Sequence, residues 1–241
     1  MPVTMSGATV AGGVTIGDAI VPIVTSGLVL SLDAGNSSSY PGTGTTWTDL
    51  SGSVNTGTLF NSPVYSSANG GYLDFDGIDD YASGANSVST DLTGDMSCEV
   101  WFKLDAVAGD WVRPFGKGDS TNRTYGLWYN TSSTGFLYQR YGPSGSSFQA
   151  TYSTLPVIGQ WYQMVGTTIG SSHVLYMNGV SAATATATGP WFSSTEGYRV
   201  AAATFHTFHN GPLSIVRLYN RGLSAAEVAQ NFNVNRGRYG L

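Results

Sequence analysis

Short runs of alternating apolar and polar residues fill most of this chain, with turn-forming residues between them. In the segment GYLDFDG, Leu73 and Phe75 fall on one side, and Asp74 and Asp76 fall on the other. In MSCEVWFKLD one side is apolar throughout and carries Met96, Cys98, Val100, Phe102 and Leu104. A repeat of two residues is that of a β-strand with one buried face. The pattern therefore predicts a chain built of short strands.

The runs follow one another with no helical pattern between them. YGLWYN and GFLYQRYG flank the turn TSST, QWYQMVGTTI precedes HVLYMNGV, and YRVAAATF and PLSIVRLYN complete the set. Asn178-Gly179 predicts a two-residue type I′ hairpin, because both residues tolerate a positive φ. Many short strands without βαβ alternation predict an antiparallel sandwich.

One helix is predicted near the C-terminus, in LSAAEVAQNFN. Ser224 can cap its N-terminus while Glu227, three residues later, reaches back to form a capping box. Leu223, Val228 and Phe232 would then face the sandwich. We expect this helix to be structural.

The first 26 residues have a different composition. They are rich in glycine and β-branched residues, contain no aromatic residue and carry one charge, Asp18. They lack the basic start and compact apolar core of a signal peptide, and Pro22 and the glycines exclude a membrane helix. Such a segment either adds a strand to the sandwich or orders against a partner. We predict an extended arm at residues 1–26 that binds another subunit, followed by one domain at 27–241.

Composition excludes several functions. Charged residues make up 10% of the chain, the net charge is −5, and Lys103 and Lys117 are its only lysines. We therefore expect no nucleic-acid partner, since phosphate binding needs clustered cations. Four arginines near the C-terminus are interpreted as surface ion pairs: Arg217, Arg221, Arg236 and Arg238. Cys98 is the only cysteine, which excludes an internal disulfide and favours a small buried side chain.

These segments, taken in order over residues 27–241, resemble the concanavalin A-like, laminin-G-like jelly-roll superfamily. The resemblance rests on GLVLSLDAGNSSSY, TWTDLSGSVNTGTL, GGYLDFDGIDDYAS, MSCEVWFKLD with its turn GKGD, GQWYQMVGTT with HVLYMNGV, and FHNGPLSIVRLYNRGLSAAEVAQNFN. It implies an all-β fold, an antiparallel two-sheet jelly-roll sandwich with a short C-terminal helix. The opening and closing motifs look most like versions found in virion proteins of tailed bacteriophages.

The narrower resemblance implies a non-enzymatic virion structural protein, a head decoration or a fibre component. We expect it to form a homo-oligomer, to contact other virion subunits through the arm, and to touch host-surface glycans with a lectin-like domain. The alternative is a carbohydrate-binding lectin module of a bacterial or phage adhesin. Neither hypothesis requires a cofactor or membrane insertion.

The acidic stretch YLDFDGIDDY suggests a metal site, but its spacing fails that of an EF-hand. A loop starting at Asp74 would need Gly at its sixth position and Glu at its twelfth, where this chain has Asp79 and Ala85. We interpret the stretch as a turn at Gly77 whose aspartates accept backbone N–H bonds and whose Ile78 points inward. Calcium binding is the alternative.

Some relatives in the superfamily hold a structural calcium partly through an acidic pair in the closing strand. The matching positions here are Ser214 and Ile215, which removes charge that a hard cation needs. We therefore assign no metal ligand from the sequence.

Catalytic carboxylates are not predicted either. Glycosidases of this superfamily use clustered glutamates, and the three glutamates here, Glu99, Glu196 and Glu227, are widely spaced. Asp79 and Asp80 are adjacent in a strand pattern, so we expect them to point to opposite faces. His206 and His209, in TFHTFHN, are interpreted as polar residues of a surface loop. We expect no enzyme activity.

Aromatic residues near predicted loops are the candidates for ligand contact, because sugars stack their apolar faces on such rings. Five are assigned to carbohydrate binding: Trp111, Trp128, Tyr129, Tyr141 and Trp191. Tyr198 shares the same setting. The alternative for each ring is packing in a core or an interface, and we expect at least half to be buried.

Overall fold

The computed structural model describes residues 14–16, 19–106, 111–119, 122–203 and 208–241. The first nine strands are β1 (Val14–Ile16), β2 (Ala19–Val21), β3 (Leu28–Asp33), β4 (Thr46–Trp47), β5 (Gly57–Phe60), β6 (Val64–Ser66), β7 (Tyr72–Asp76), β8 (Tyr81–Gly84) and β9 (Met96–Lys103). The next nine are β10 (Val112–Lys117), β11 (Tyr125–Asn130), β12 (Gly135–Tyr141), β13 (Ser147–Tyr152), β14 (Trp161–Ile169), β15 (Ser172–Met177), β16 (Val180–Thr186), β17 (Tyr198–Val200) and β18 (Asn210–Tyr219). Helix α1 spans Ala225–Asn235, and 3₁₀ turns span Ala68–Gly70, Pro143–Gly145 and Arg236–Tyr239.

Two antiparallel sheets form the sandwich, each with eight strands among the described residues. Sheet one has the order β13-β12-β11-β10-β17-β8-β5-β4. Sheet two has the order β16-β15-β14-β9-β18-β7-β6, and β3 also pairs with β18. Strand β18 is long enough to pair with β7 at its start and with β3 at its end, while β9 lies along its other side. The predicted jelly-roll class is confirmed.

The main core lies between the sheets and is built from the apolar side of each alternating strand. The five apolar residues of the β9 segment are all fully buried there, including Cys98. Burial raises the pKa of the Cys98 thiol to about 12, so this residue is a buried apolar group, as predicted. The hairpin at Asn178 and Gly179 is also confirmed, with φ values of 50° and 78°.

The outer face of sheet two is covered by α1 and the C-terminal 3₁₀ turn. The predicted capping box is present, with the Ser224 hydroxyl accepting from the Glu227 N–H and the Glu227 carboxylate accepting from the Ser224 N–H. Leu223 and Val228 are buried against the sheet. Phe232 stacks on Trp101 at 5.7 Å, a contact worth about 1 kcal/mol beyond its buried area. The helix and the turn therefore cover the part of this face that includes Trp101 and Tyr219.

The end of the predicted arm packs on its own chain. The Val24 N–H donates to the Asn231 side chain of α1 at 2.9 Å, and the Val24 carbonyl accepts from the Tyr219 hydroxyl at 3.1 Å. Gln230 donates to the Pro22 carbonyl at 2.7 Å. Strands β1 and β2 form a two-stranded ribbon before this anchor. Residues 1–13 and 17–18 lie outside the described residues, and with them most of the predicted arm.

Three sequence interpretations about which side chains are buried are wrong. Ile78 is 74% exposed, because the turn at Gly77 directs its N–H to the Asp76 carboxylate and its side chain to solvent. Arg217 is buried, held by Glu99 under α1. His209 lies in the loop before β18, as expected, but it is fully buried. His206 lies outside the described residues.

Candidate functional site

The aromatic residues assigned to ligand binding separate onto the two faces of sheet one. In β11, Tyr125, Leu127 and Tyr129 point into the core, whereas Trp128 points outward. Tyr129 has no exposed surface, and its hydroxyl is bonded to His209 Nδ1 at 3.0 Å. Tyr129 is therefore a core residue and offers no face to a sugar.

Trp191 also packs away from the other outward rings. It is 8% exposed, with the Arg140 guanidinium 4.7 Å from its ring centre and the His173 ring at 5.0 Å. Tyr198, the sixth candidate ring, is fully buried with its hydroxyl bonded to the Asn55 carbonyl. These rings serve packing.

The remaining assigned residues meet at one pocket, here called the aromatic pocket. It has a volume of about 200 Å³, and its lining residues are Trp111, Arg123, Trp128, Leu137, Gln139 and Gln149. Tyr141 borders it through its hydroxyl, which accepts from Arg123 Nη1 at 2.9 Å and donates to the Gln139 carbonyl. Trp111, Trp128 and Tyr141 were identified from sequence; Arg123, Leu137, Gln139 and Gln149 were missed.

Two tryptophans and two arginines shape the pocket. The Trp111 and Trp128 rings meet edge to face, with centres 6.4 Å apart and an angle of 84°. The Arg123 guanidinium lies 4.9 Å from the Trp128 ring centre, and that of Arg113 lies at 5.4 Å. Trp111 is partly exposed, whereas the other five tryptophans of the chain, all in the described part, are less than a tenth exposed. Trp111 thus presents an accessible indole at the rim, and Trp128 lies beneath it.

Two backbone features of sheet one make room for this arrangement. A side chain at Gly126 would place its Cβ 2.5 Å from the Trp128 ring nitrogen, so the indole lies over a strand position that must be glycine. In β10 the pairing with β11 slips by one residue between Val112 and Phe115, a β-bulge that contains Pro114. The bulge turns Arg113 toward the outer face, where it contacts Trp128.

Arg113 is a buried cation held by backbone carbonyls. It has no exposed surface, and its Nη1 donates to the Gly118 carbonyl at 2.7 Å. Burial, followed by the charge of Arg123, lowers its pKa to about 9. The side chain is still protonated at neutral pH, and its guanidinium packs against the Trp128 ring at 5.4 Å from the ring centre.

The pocket combines flat apolar surface with side-chain amides. Gln139 and Gln149 are directly opposite each other on β12 and β13. The Tyr141 hydroxyl occupies the Gln139 carbonyl, which leaves the amide nitrogen to donate toward the pocket. At about 200 Å³ the space is below the roughly 300–1,000 Å³ that encloses drug-sized ligands. It therefore suits one small, hydroxyl-bearing ring or the end of a chain.

The acidic stretch folds as a turn with converging carboxylates. Asp76 Oδ1 accepts from the N–H groups of Ile78, Asp79 and Asp80 at 2.8–3.3 Å, which confirms the predicted role of the aspartates in the turn. The expectation that Asp79 and Asp80 diverge is wrong: carboxylate oxygens of Asp76, Asp79 and Asp80 all lie within 4.8 Å of one another. Burial, helped by these neighbouring carboxylates, raises the pKa of Asp80 to about 6.

The side chain of Arg238 contacts Ser214, the position at which some relatives were expected to bind calcium. Arg238 forms a bidentate ion pair with Asp33 at 2.9 and 3.0 Å. Its Nη2 also lies 3.0 Å from the Gly70 carbonyl and 3.1 Å from the Ser214 hydroxyl. The guanidinium supplies positive charge to this group of oxygens, and Ile215 packs beside Trp101 instead of offering a ligand.

The three glutamates lie in separate environments. Glu196 lies in the segment before β17, where its N–H donates to the Ser194 hydroxyl at 3.0 Å and its carbonyl accepts from Lys117. Glu99 is fully buried beneath α1, where it accepts from Trp101, Gln163, Arg217 and Asn231. Glu227 is committed to the capping box and to Arg221, and hydrogen bonds from Arg221 lower its pKa to about 2. None of the three is among the described lining residues of the aromatic pocket, which include no carboxylate.

Comparison with known proteins identifies the superfamily of this fold. A family model described as the concanavalin A-like lectin/glucanases superfamily matches residues 75–229. No curated protein sequence matches the chain. None of the helices among the described residues has the length and apolar character that crossing a bilayer requires.

Solved structures with the same fold come from several kinds of protein. Domain 4 of AbnA, an extracellular GH43 arabinanase of Geobacillus stearothermophilus solved with arabinotriose, is 14% identical, with a TM-score of 0.68 over 85% of this chain and 97% of that domain. Trypanosoma rangeli sialidase is 16% identical, with a TM-score of 0.68 over 96% of this chain and 37% of the enzyme. The receptor-binding domain of botulinum neurotoxin type G is 12% identical, with a TM-score of 0.65 over 87% and 51% of the two chains. This chain thus spans about a third to a half of the latter two.

Proposed function

The chain belongs to the concanavalin A-like lectin/glucanases superfamily, and from this premise we propose that it is a non-catalytic carbohydrate-binding domain whose ligand site is the aromatic pocket. The observation that carries the proposal is the pocket itself, where the partly exposed Trp111 stands at right angles to Trp128 above paired glutamine amides. The rings offer apolar faces to the C–H surface of a sugar, and the amides offer partners to its hydroxyls.

The solved relatives support a binding role. One is a domain crystallised with arabinotriose, and another is a receptor-binding domain. The shared sandwich makes up 97% of the first chain and 51% of the second. By analogy with the first, we propose that the ligand is the end or a single ring of a neutral glycan.

The arrangement of acidic groups favours binding over hydrolysis. Hydrolysis of a glycosidic bond needs two carboxyl groups about 5–10 Å apart across the scissile bond. The described lining of the aromatic pocket supplies amides and arginines, and Glu99 is enclosed on the opposite sheet. A sugar bound in this pocket would meet no described proton donor paired with a nucleophile.

Replacing Trp111 with alanine tests the site. We expect the full chain to bind a subset of glycans on an array, and the variant to lose at least tenfold in affinity, about 1.4 kcal/mol, because its accessible stacking surface is gone. Phe60→Ala is the matched control, since Phe60 is a 37% exposed aromatic residue of β5 outside the pocket. Isothermal titration calorimetry with the glycan that gives the strongest array signal measures the affinity of the full chain and of both variants. Unchanged binding by Trp111→Ala, or no binding by the full chain, would contradict the proposal.

We further propose that this domain is part of a phage virion, as a head decoration or fibre component that assembles as a homo-oligomer through its N-terminal arm. The support is the resemblance of the opening and closing motifs, together with the nearly uncharged arm. Mass spectrometry of purified phage particles should detect the chain at many copies per particle. Its recovery only from bacterial surfaces would favour the alternative, a lectin module of an adhesin.

A further inference from the structure

We propose that Asp76, Asp79 and Asp80 form a binding site for a divalent cation of the calcium type at the turn between β7 and β8. The site is separate from the aromatic pocket, whose lining comes from β11, β12, β13 and the residues before β10 and β11. Three observations carry the inference: the fixed geometry of the turn, a buried carboxylate oxygen without a partner, and the spacing of the three carboxyl groups.

The turn is rigid and holds the carboxylates together. Gly77 has a φ of 75°, and a Cβ there would lie 2.7 Å from Asn210, so this backbone is closely fitted to the start of β18. Asn210 donates to the Asp76 carbonyl at 2.8 Å, and Asn61 donates to the Asp79 carbonyl at 2.7 Å. Both neighbouring segments therefore fix the loop that carries the acidic side chains.

Asp80 has an oxygen that nothing in the described part of the protein satisfies. The side chain is buried, with 4% of the residue exposed. Its Oδ2 accepts from the Asp76 N–H at 3.2 Å, whereas its Oδ1 has no hydrogen-bond partner. A buried charged oxygen without a partner is strongly unfavourable, and a bound cation would satisfy it.

The spacing fits calcium. Calcium binds oxygen at about 2.3–2.6 Å, so two ligands on opposite sides of the ion lie up to roughly 5 Å apart. The ligand oxygens of Asp76, Asp79 and Asp80 lie within 4.8 Å of one another. Magnesium binds at about 2.0–2.1 Å with strict octahedral geometry and would need the group to contract. Because Asp76 and Asp79 are exposed, water can complete the coordination shell.

Two exposed ligands and one buried ligand predict weak binding. Sites with few charged ligands open to solvent have dissociation constants of about 10⁻⁴–10⁻³ M. Such a site would be filled in a calcium-rich medium and empty after chelation. Its effect would be to tie the turn to the Asn61 and Asn210 segments, and so to raise the melting temperature.

The experiment is calcium titration of the chelator-treated full chain, at about 0.1 M NaCl to screen loose ion binding. We expect one site by calorimetry, a rise in melting temperature with added Ca²⁺, and at least tenfold weaker binding of Mg²⁺. Asp80→Asn keeps an oxygen acceptor for the Asp76 N–H but lacks the charge, so it should lose the calcium response while melting no lower than the wild type in chelator. Asp79→Asn, at an exposed position that tolerates an amide, should weaken binding at least tenfold.

Asp95→Asn provides the matched control, because Asp95 is exposed and lies outside the cluster. This variant should bind calcium within about twofold of the wild type. The proposal is overturned by no binding at 10⁻² M Ca²⁺, by equal affinity for Mg²⁺ and Ca²⁺, or by an unchanged calcium response in Asp80→Asn and Asp79→Asn. If calcium binds but glycans do not, only the assignment of the aromatic pocket fails.

Discussion

Replacing Glu99 with alanine is expected to lower the free energy of unfolding by about 3–5 kcal/mol, the largest effect of any single change considered for this protein. Glu99 Oε1 accepts from Trp101 Nε1 at 2.8 Å, Gln163 Nε2 at 3.0 Å and Arg217 Nη1 at 3.1 Å. Its Oε2 accepts from Asn231 of α1 at 3.0 Å. Removing the carboxylate leaves the buried guanidinium of Arg217 without its counter-ion, along with three unsatisfied donors.

A second variant separates the lost charge from the lost packing. Replacing both members of the pair, as Glu99→Met with Arg217→Met, removes the uncompensated charge and should recover at least half of the stability. Urea unfolding followed by tryptophan fluorescence measures all the variants. A Glu99→Ala protein destabilised by less than about 1 kcal/mol, or a double variant worse than Glu99→Ala, would contradict the assigned role of the pair.

Acidification from pH 7.5 to pH 5 is expected to cost about 2 kcal/mol of stability through His209 alone. Burial lowers the pKa of His209 to about 4, compared with 6.5 in the unfolded chain. Since the folded pKa is the lower one, the unfolded state takes up a proton first as the pH falls below 6.5. The loss of stability grows until the pH reaches about 4, where His209 in the folded state also becomes protonated.

The environment of His209 explains why the ring stays neutral. Nε2 faces the Pro212 carbonyl at 3.4 Å and carries the hydrogen, so Nδ1 accepts from the Tyr129 hydroxyl at 3.0 Å. The Phe102 ring meets it edge to face at 5.7 Å. A proton on Nδ1 would force the Tyr129 hydroxyl to change from donor to acceptor, and it would place a positive charge in a fully buried site.

The measurement compares wild type with His209→Gln over that pH range by chemical unfolding. His173 also has a lowered pKa because of burial, so the difference between the two proteins, rather than either curve, isolates His209. The difference in free energy of unfolding between wild type and His209→Gln should shrink by about 2 kcal/mol on acidification. A difference constant to about 0.5 kcal/mol would mean that His209 is not held neutral.

Local sequence signals were sufficient for most of the fold. The alternation in β9, the Asn178-Gly179 hairpin and the Ser224–Glu227 capping box each depend on neighbours within a few residues, and each is confirmed. The burial of His209 and Arg217 depends on partners 80 and 118 residues away, and no local pattern reports those contacts.

The sequence predicted only some of the residues of the candidate site. Trp128 and Tyr129 are adjacent in a strand, so they point to opposite faces, and this alternation could have separated the pocket residue from the core residue. The same rule places Leu137, Gln139 and Tyr141 on one face of β12. Arg123 and Trp111 lie outside regular strands, so the two-residue alternation does not predict which way their side chains point. Their convergence on Trp128 follows from the tertiary fold.

The position of β18 has a consequence for the order in which the protein can be made. This strand joins β9 to β7 and β3, yet it is the last of the described strands of the sandwich in chain order. On the ribosome, β3, β7 and β9 emerge well before the strand that connects them, and the apolar β9 has an open edge until then. Sheet two closes only after residues 210–219 have been synthesised. The nascent domain therefore stays incompletely folded until then, and during that interval the open edge of β9 can pair with other nascent chains.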